Sequence, residues 1–346
     1  MELNARKLRI LKTIVDEYIL SASPVGSKFI SGHPSIRLSS ATIRNEMADL
    51  EDLGYLEQPH TSAGRIPSDK AYRLYVDNLM QRAQLNAAEL AEIKRYCSGR
   101  VSGLDAVMRE TANVLSGITH YTALVMMPET ATNRLRHLQL VPLGGGYALV
   151  VAVTDAGVAR DSVIRVPSGM GAEELDTVSR MITARYANCR MTDIAQRMVR
   201  ELDGELLGRG DFLQELLHSL QQNAAAGERK IALSGAMKML EYPEYSDTKK
   251  ARELLEAVEQ RENMYALLKS NSVMEFTIRI GSELGQEAFK DCSLVTATYT
   301  VGDMPVGSMG IIGPTRMNYA KVMTVMDHMR RELGEILSNL LEEDRF

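Results

Sequence analysis

The sequence predicts a multidomain α+β protein with a winged helix-turn-helix at its N-terminus, and three observations predict it. The chain has 346 residues, too many for one ordinary hydrophobic core. Its first 82 residues alternate helix-like and turn-like stretches and close on a short hairpin. Beyond residue 119, strand-like runs give way to helix-like runs and then return. That is the order of a sheet domain carrying a helical insertion.

Leu8, Leu11, Ile14, Val15, Tyr18 and Ile19 recur at helical spacing and predict a helix from about Asn4 to Leu20. Ser23-Pro24-Val25-Gly26 ends it, because proline cannot continue a helix and glycine supplies a turn. A short helix is expected around Ser27–Ile30, then a loop over residues 31–35. A third helix runs from about Ser40 to Leu53 and stops at Gly54. Two short strands, Tyr55–Pro59 and the region of Ile66, enclose a polar loop, and Ser68 caps a helix reaching Leu79. Asn86 followed by Glu89 forms a capping box that opens a long amphipathic connector, which Gly99 and Gly103 can break.

Strands are expected at Ala123–Met127, Leu135–Val141, Tyr147–Thr154 and Val158–Val166, with Gly144-Gly145-Gly146 as a hairpin turn. Helices follow at Ala172–Tyr186 and from Thr192. The helix-rich stretch Asp211–Lys269 contains one strand-like run, Lys230–Leu233. Strands resume at Val273–Ile280, Ser293–Val301 and Ser308–Ile312, and a helix from about Asn318 to Glu343 closes the chain.

Apolar residues at 45% and charged residues at 25% describe a soluble globular protein. No apolar run reaches the roughly 18 residues that span a bilayer, so no membrane is expected as a partner. The charged start, Glu2 to Lys7, is unlike an export signal, and three scattered cysteines suit a reducing cytoplasm. The net charge of −5 argues against wholesale coating of nucleic acid. Residues 1–82 hold 11 basic and 10 acidic side chains against 29 and 35 in the remainder. Any DNA contact must therefore come from a local surface.

The third helix offers one. At 100° per residue, Ile43, Met47 and Leu50 share the side that packs on the first helix. Ala41, Asn45, Ala48 and Asp52 fall opposite, flanked by Thr42 and Arg44. A recognition helix needs small or hydrogen-bonding side chains in its first turns, where it approaches base edges. Arg44 suits guanine, Asn45 suits adenine, and Ala41 or Thr42 suits a thymine methyl. Ser39 and Ser40 at the helix start offer N–H groups to a phosphate. In the wing, Gly64 permits a tight turn, Arg65 is expected at the tip facing a minor groove, and Thr61 and Ser62 are phosphate donors. The same pattern also fits a plain packing module, and the acidic Glu46 and Asp49 on that helix count against DNA.

Catalytic and metal chemistry find no pattern. The six histidines lack metal-ligand spacing, and Gly144–Gly146 lacks the strand–glycine–helix context of a phosphate loop. No nucleophile–base pair or paired acids stand out, so no enzyme, metal or cofactor is expected. Arg316, after Gly313-Pro314, suits either an anion or a turn whose carbonyls it ties down.

Four stretches carry a family resemblance: Pro24–Lys28, Leu38–Met47, Gln58–Pro67 and Gly310–Tyr319. The sequence resembles, along essentially its whole length, the HrcA-type heat-inducible transcription repressors of bacteria. The resemblance implies a winged helix at 1–82, a connector helix at 83–118, and a GAF-like domain in two segments, 119–197 and 273–346. A helix-rich dimerising domain is implied at 198–272, inserted in the GAF-like domain. It further implies a homodimer on an inverted-repeat DNA operator of chaperone operons, with activity dependent on the chaperonin GroEL. A two-fold operator requires a two-fold protein. Leu216, Leu217, Leu254, Leu255, Leu267 and Leu268 are candidates for that contact, and each suits a core equally well. The competing reading is a small-molecule sensor in the GAF-like domain.

Overall fold

Asn4 caps the first helix, α1 (Ala5–Ser21), by accepting a hydrogen bond from the Lys7 N–H at 2.9 Å. The structure, a computed structural model, describes residues 3–60, 63–98, 103–126, 134–154, 159–167, 169–201, 210–228, 231–269 and 275–343. After α1 come α2 (Ser27–Ser31), α3 (Ser40–Asp52) and the paired strands β1 (Leu56–Glu57) and β2 (Ile66–Pro67). Gly54 ends α3 with a φ of +76°, a left-handed turn that favours glycine. Ser68 caps α4 (Asp69–Leu74), which continues as a π-helical turn over Tyr75–Leu79. Ile10, Leu11 and Ile14 of α1, Ile30 of α2, and Ile43 and Leu50 of α3 are fully buried together with Tyr72. Burial of so many apolar side chains, at about 1.5–3 kcal/mol each, holds the three helices and hairpin together.

The expected connector is two helices. Its capping box is present: Glu89 N–H donates to Asn86 Oδ1 at 2.9 Å, and Asn86 N–H donates to Glu89 Oε2 at 2.8 Å. It opens α5 (Ala87–Ser98), and α6 (Leu104–Thr119) starts afresh after Gly103. The two pack together through Tyr96 and Thr111, whose hydroxyls lie 2.6 Å apart in the interior.

The strands β3 (Thr122–Met126), β4 (Leu135–Gly144), β5 (Tyr147–Thr154) and β6 (Ala159–Arg165) precede α7 (Ala172–Tyr186), α8 (Met191–Glu201) and α9 (Gly210–Glu228). Then come β7 (Ile231–Ser234), α10 (Thr248–Glu259), α11 (Arg261–Lys269), β8 (Phe276–Ile280), β9 (Cys292–Val301), β10 (Met304–Pro314) and α12 (Tyr319–Glu343). Nearly every expected strand and helix is present within a few residues. The sheets they build are not the expected ones.

One sheet is five-stranded and antiparallel, in the order β7-β3-β10-β9-β8. Counted within that domain, the order is 2-1-5-4-3. The other holds only β4-β5-β6. Two compact units result: residues 1–126 with 231–346, and residues 127–230. The insertion therefore spans 127–230 and not 198–272. Residues 134–197 do not join the five-stranded sheet, whereas 231–234 do, and the helices that follow them pack on it. The physical reason is β7, which pairs with β3 across the whole insertion, Ala123 opposite Ser234 and Met126 opposite Ile231.

Both faces of the five-stranded sheet are covered. Leu124, Met126, Leu294 and Ile312 meet Leu254, Leu267 and Leu268 of α10 and α11 in one core. A Cβ at Gly310 would stand 2.7 Å from Leu268 Cδ2, so this face is filled by the chain's own side chains. On the other face lie α6 and α12, where the fully buried Tyr299 donates its hydroxyl to the Met126 carbonyl. Cys292 is buried in the first of these cores, and burial pushes its thiol up to about 12, which leaves it unreactive.

In the second unit, α7, α8 and α9 cover one side of β4-β5-β6. Leu138, Leu140, Val150 and Ile164 of the sheet pack with Ile182, Ile194, Leu216 and Leu217. The leucines named from sequence as dimer candidates are thus mostly core. Leu216 and Leu217 belong to this cluster, Leu254, Leu267 and Leu268 belong to the other, and Leu255 is half-buried.

Candidate nucleic-acid interface

Ser39 is the N-cap of α3: its Oγ accepts from the Thr42 N–H at 3.1 Å, and the two hydroxyls lie 2.9 Å apart. Ser40 Oγ sits 2.9 Å from Ser27 Oγ of α2, which fixes the angle between the helices of the helix-turn-helix. With Ile43, Met47 and Leu50 buried inward, the opposite face is left open. Ala41, Arg44, Asn45 and Ala48 are all exposed, and Thr42 is half-buried at the margin. Among the described residues, neither Arg44 nor Asn45 has a side-chain hydrogen bond or ion pair. The first turns of α3 thus present a guanidinium, a carboxamide and two methyls to solvent.

The acidic residues that counted against DNA are neutralised from α1. Glu46 accepts from Lys7 Nζ at 2.8 Å and Arg6 Nη1 at 3.2 Å, and Asp49 accepts from Lys7 Nζ at 2.8 Å. The Lys7 hydrogen bond, then Arg6, holds the Glu46 carboxyl below its usual range, against an opposing cost of desolvation. Sequence reasoning missed Arg6 and Lys7. The adjacent basic pair was visible, but its partners lie about 40 positions away.

These ion pairs have a consequence for acid stability. A carboxyl lowered on folding adds stability above its unfolded value and loses it as pH falls through its folded value. Glu46→Gln is therefore expected to flatten the acid limb of the stability–pH curve. Denaturant melts between neutral and acid pH measure this, and an unchanged acid slope would exclude Glu46 as a contributor.

In the wing, Thr61 and Ser62 lie outside the described residues. Arg65 sits at the base of the wing and not at its tip. Its N–H and carbonyl pair with Val25 at 2.9 Å each, while its guanidinium bonds Glu51 of α3, Nε to Oε2 at 2.8 Å. The side chain is only 19% exposed. Bridging to Val25 aligns residue 65 alongside α3, where Glu51 captures it.

Gly64 serves a close approach. A Cβ there would stand 2.9 Å from Gly26 N and closer still to the Val25 carbonyl. Gly64→Ala is thus expected to push the wing off the loop ahead of α2. It should destabilise the domain by about 1–3 kcal/mol, as overpacking does, and weaken DNA binding with it. Thermal melts alongside DNA titration test this.

The winged helix is anchored to the five-stranded domain. Asp69 accepts from Ser282 N–H at 3.1 Å and Oγ at 3.3 Å, and Arg73 Nη2 donates to the Ile278 carbonyl at 2.6 Å and pairs with Glu283. Arg316, buried after the Gly-Pro turn, pairs with Glu244 and donates to the Ile19 carbonyl at the end of α1 at 3.2 Å. Arg316 therefore ties down a carbonyl, the second of its two readings.

A family model for the HrcA protein C-terminal domain matches residues 105–323. A heat-inducible transcription repressor HrcA of Brevibacillus brevis is 41% identical over 341 residues, covering 99% of this chain and all of the relative. One from Pelotomaculum thermopropionicum is 39% identical over 343 residues, covering 99% of each. A crystal structure described only as a hypothetical protein aligns at a TM-score of 0.65 with 25% identity, over 98% of this chain and all of the other. The likeness thus runs through the helix-turn-helix, the wing, the five-stranded sheet and the insertion alike. The chain belongs to the HrcA family of heat-inducible transcription repressors.

Proposed function

We propose that this repressor binds an inverted-repeat operator of chaperone operons as a homodimer, placing the outer face of α3 in the major groove. The observation that carries the reading is that Ala41, Arg44, Asn45 and Ala48 are exposed together while Glu46 and Asp49 on the same helix are neutralised from α1. Arg44 and Asn45 read bases, and Ser39, Ser40 and Thr42 meet phosphate at the helix start. Thr61 and Ser62 supply the wing's phosphate donors, with Gly64 and Arg65 holding the wing in position.

The dimer contact is the open side of β4-β5-β6. Val141, Leu149 and Val163 form one row across the three strands. Val163 is 57% exposed and Leu143 56%, and Val141 and Tyr147 are exposed beside them. A contiguous apolar sheet face of this kind marks an association surface. Along β6, Asp161, Val163 and Arg165 alternate outward and are all exposed. A two-fold axis near Val163 brings opposite charges together, so the row is self-complementary.

The same face accounts for dependence on the chaperonin GroEL in the cytoplasm. An unpaired monomer exposes apolar strands, including the edge strands β4 and β6, and is a chaperonin substrate until it dimerises. Small-molecule sensing has less support, because α10 and α11 fill the sheet face with Leu254, Leu267 and Leu268. Footprinting on DNA upstream of chaperone operons tests the proposal, with and without chaperonin during refolding. Two protected half-sites, with more active repressor when chaperonin is present, are expected. Protection without sequence preference would end the operator reading.

A further inference from the structure

Beside α3, on the side away from the wing, lies a cleft of about 340 Å³ between the start of α1 and residues 35–38. Arg6, Arg9 and Arg37 line it, and among the described residues no acidic side chain does. Ile10 and Ile36, both buried, contribute its apolar part. Arg6 spends one of its donors on Glu46, whereas Arg9 and Arg37 are exposed and, among the described residues, have no side-chain partner. Uncompensated guanidiniums converging on one cleft in a chain of net charge −5 mark a place for an anion.

Its place on the domain says which anion. At 100° per residue, Thr42, Glu46 and Asp49 lie on one flank of α3, and Arg44 and Glu51 on the other. Glu46 and Asp49 bond α1, so the first flank faces the cleft. Glu51 bonds Arg65, so the second faces the wing. A helix in a major groove about 12 Å wide has a phosphate backbone on each flank. On its side, the wing takes one backbone.

We propose that the cleft formed by Arg9, Arg37 and Arg6 seats phosphates of the opposite backbone, a second and sequence-independent anchor for duplex DNA. This rests on the proposed docking of α3. The two arms clamp the duplex across the recognition helix and fix its register, while base choice stays with Arg44 and Asn45.

The test is the full-length Arg9→Gln/Arg37→Gln variant, titrated with operator and with a scrambled duplex across a series of salt concentrations. Each lost phosphate contact removes about 0.9 from the slope of log affinity against log salt, so the double variant should lose about 2. Affinity should fall by the same factor on both duplexes, because phosphates carry no sequence. Arg9→Lys/Arg37→Lys, which keeps the charge, should retain most of the slope and guards against a folding defect. An unchanged slope in the glutamine variant, or a loss confined to the operator, overturns the cleft assignment. A wild type that binds both duplexes equally sinks the operator reading alone, and the cleft then still stands or falls on its slope.

Discussion

Arg44→Ala and Asn45→Ala should each cost about 1–3 kcal/mol of operator binding, a loss of roughly five-fold to more than a hundred-fold. The loss should fall on the operator and hardly at all on scrambled DNA. A bidentate side chain that reads a base edge distinguishes sequences, whereas a phosphate contact does not. Each substitution should also relax preference at one base pair of each half-site, seen by titrating operators changed at single positions. Stability should hardly change, since both side chains are exposed and none of the interior rests on them. Equal losses on operator and scrambled duplex would reassign both residues to the backbone. Wild-type affinity in both variants would remove α3 from the groove.

How much of this was legible in the sequence depended on distance along the chain. The helices of the winged domain were, because their signals are local. The spacing of Leu11, Ile14 and Val15, Ser39 at the start of α3, and Gly54 after it are all settled within one or two turns. The outer face of α3 followed from the same period, and Ala41, Arg44, Asn45 and Ala48 are exposed where that period placed them.

Sheet membership was not legible. Alternation shows that Lys230–Leu233 is strand-like, but alternation cannot name its neighbour. Only pairing with Thr122–Met126, across an insertion of about a hundred residues, assigns β7 to the five-stranded sheet. The boundary at 198 that the resemblance implied therefore cut through the insertion, which has a sheet of its own. The wing went astray for a similar reason. Nothing near Arg65 shows that Val25 will take its backbone and Glu51 its guanidinium. The ion pairs from Arg6 and Lys7 to Glu46 and Asp49 likewise join the two helices only after packing, and they turn an apparent objection to DNA binding into support for it.

The largest loss should come from the insertion and not from the reading head. Val141→Glu/Val163→Glu puts two carboxylates on the open face of β4-β5-β6, where the wild-type side chains are 40% and 57% exposed. The fold should tolerate this, because neither residue belongs to the core on the other side of the sheet. A dimer through that face should not, since burying an unpaired charge costs several kcal/mol. Sedimentation should find monomer at concentrations where the wild type is dimeric. Linked heads gain avidity because the second half-site is met at a high effective concentration, a gain of about 10²–10⁴ over one head. The variant should lose that gain on the full inverted repeat and keep wild-type affinity for an isolated half-site. This pairing of results separates a dimer defect from a damaged DNA surface, which would weaken both. A variant that remains dimeric would move the two-fold contact elsewhere, to surfaces other than the Val141–Leu149–Val163 row.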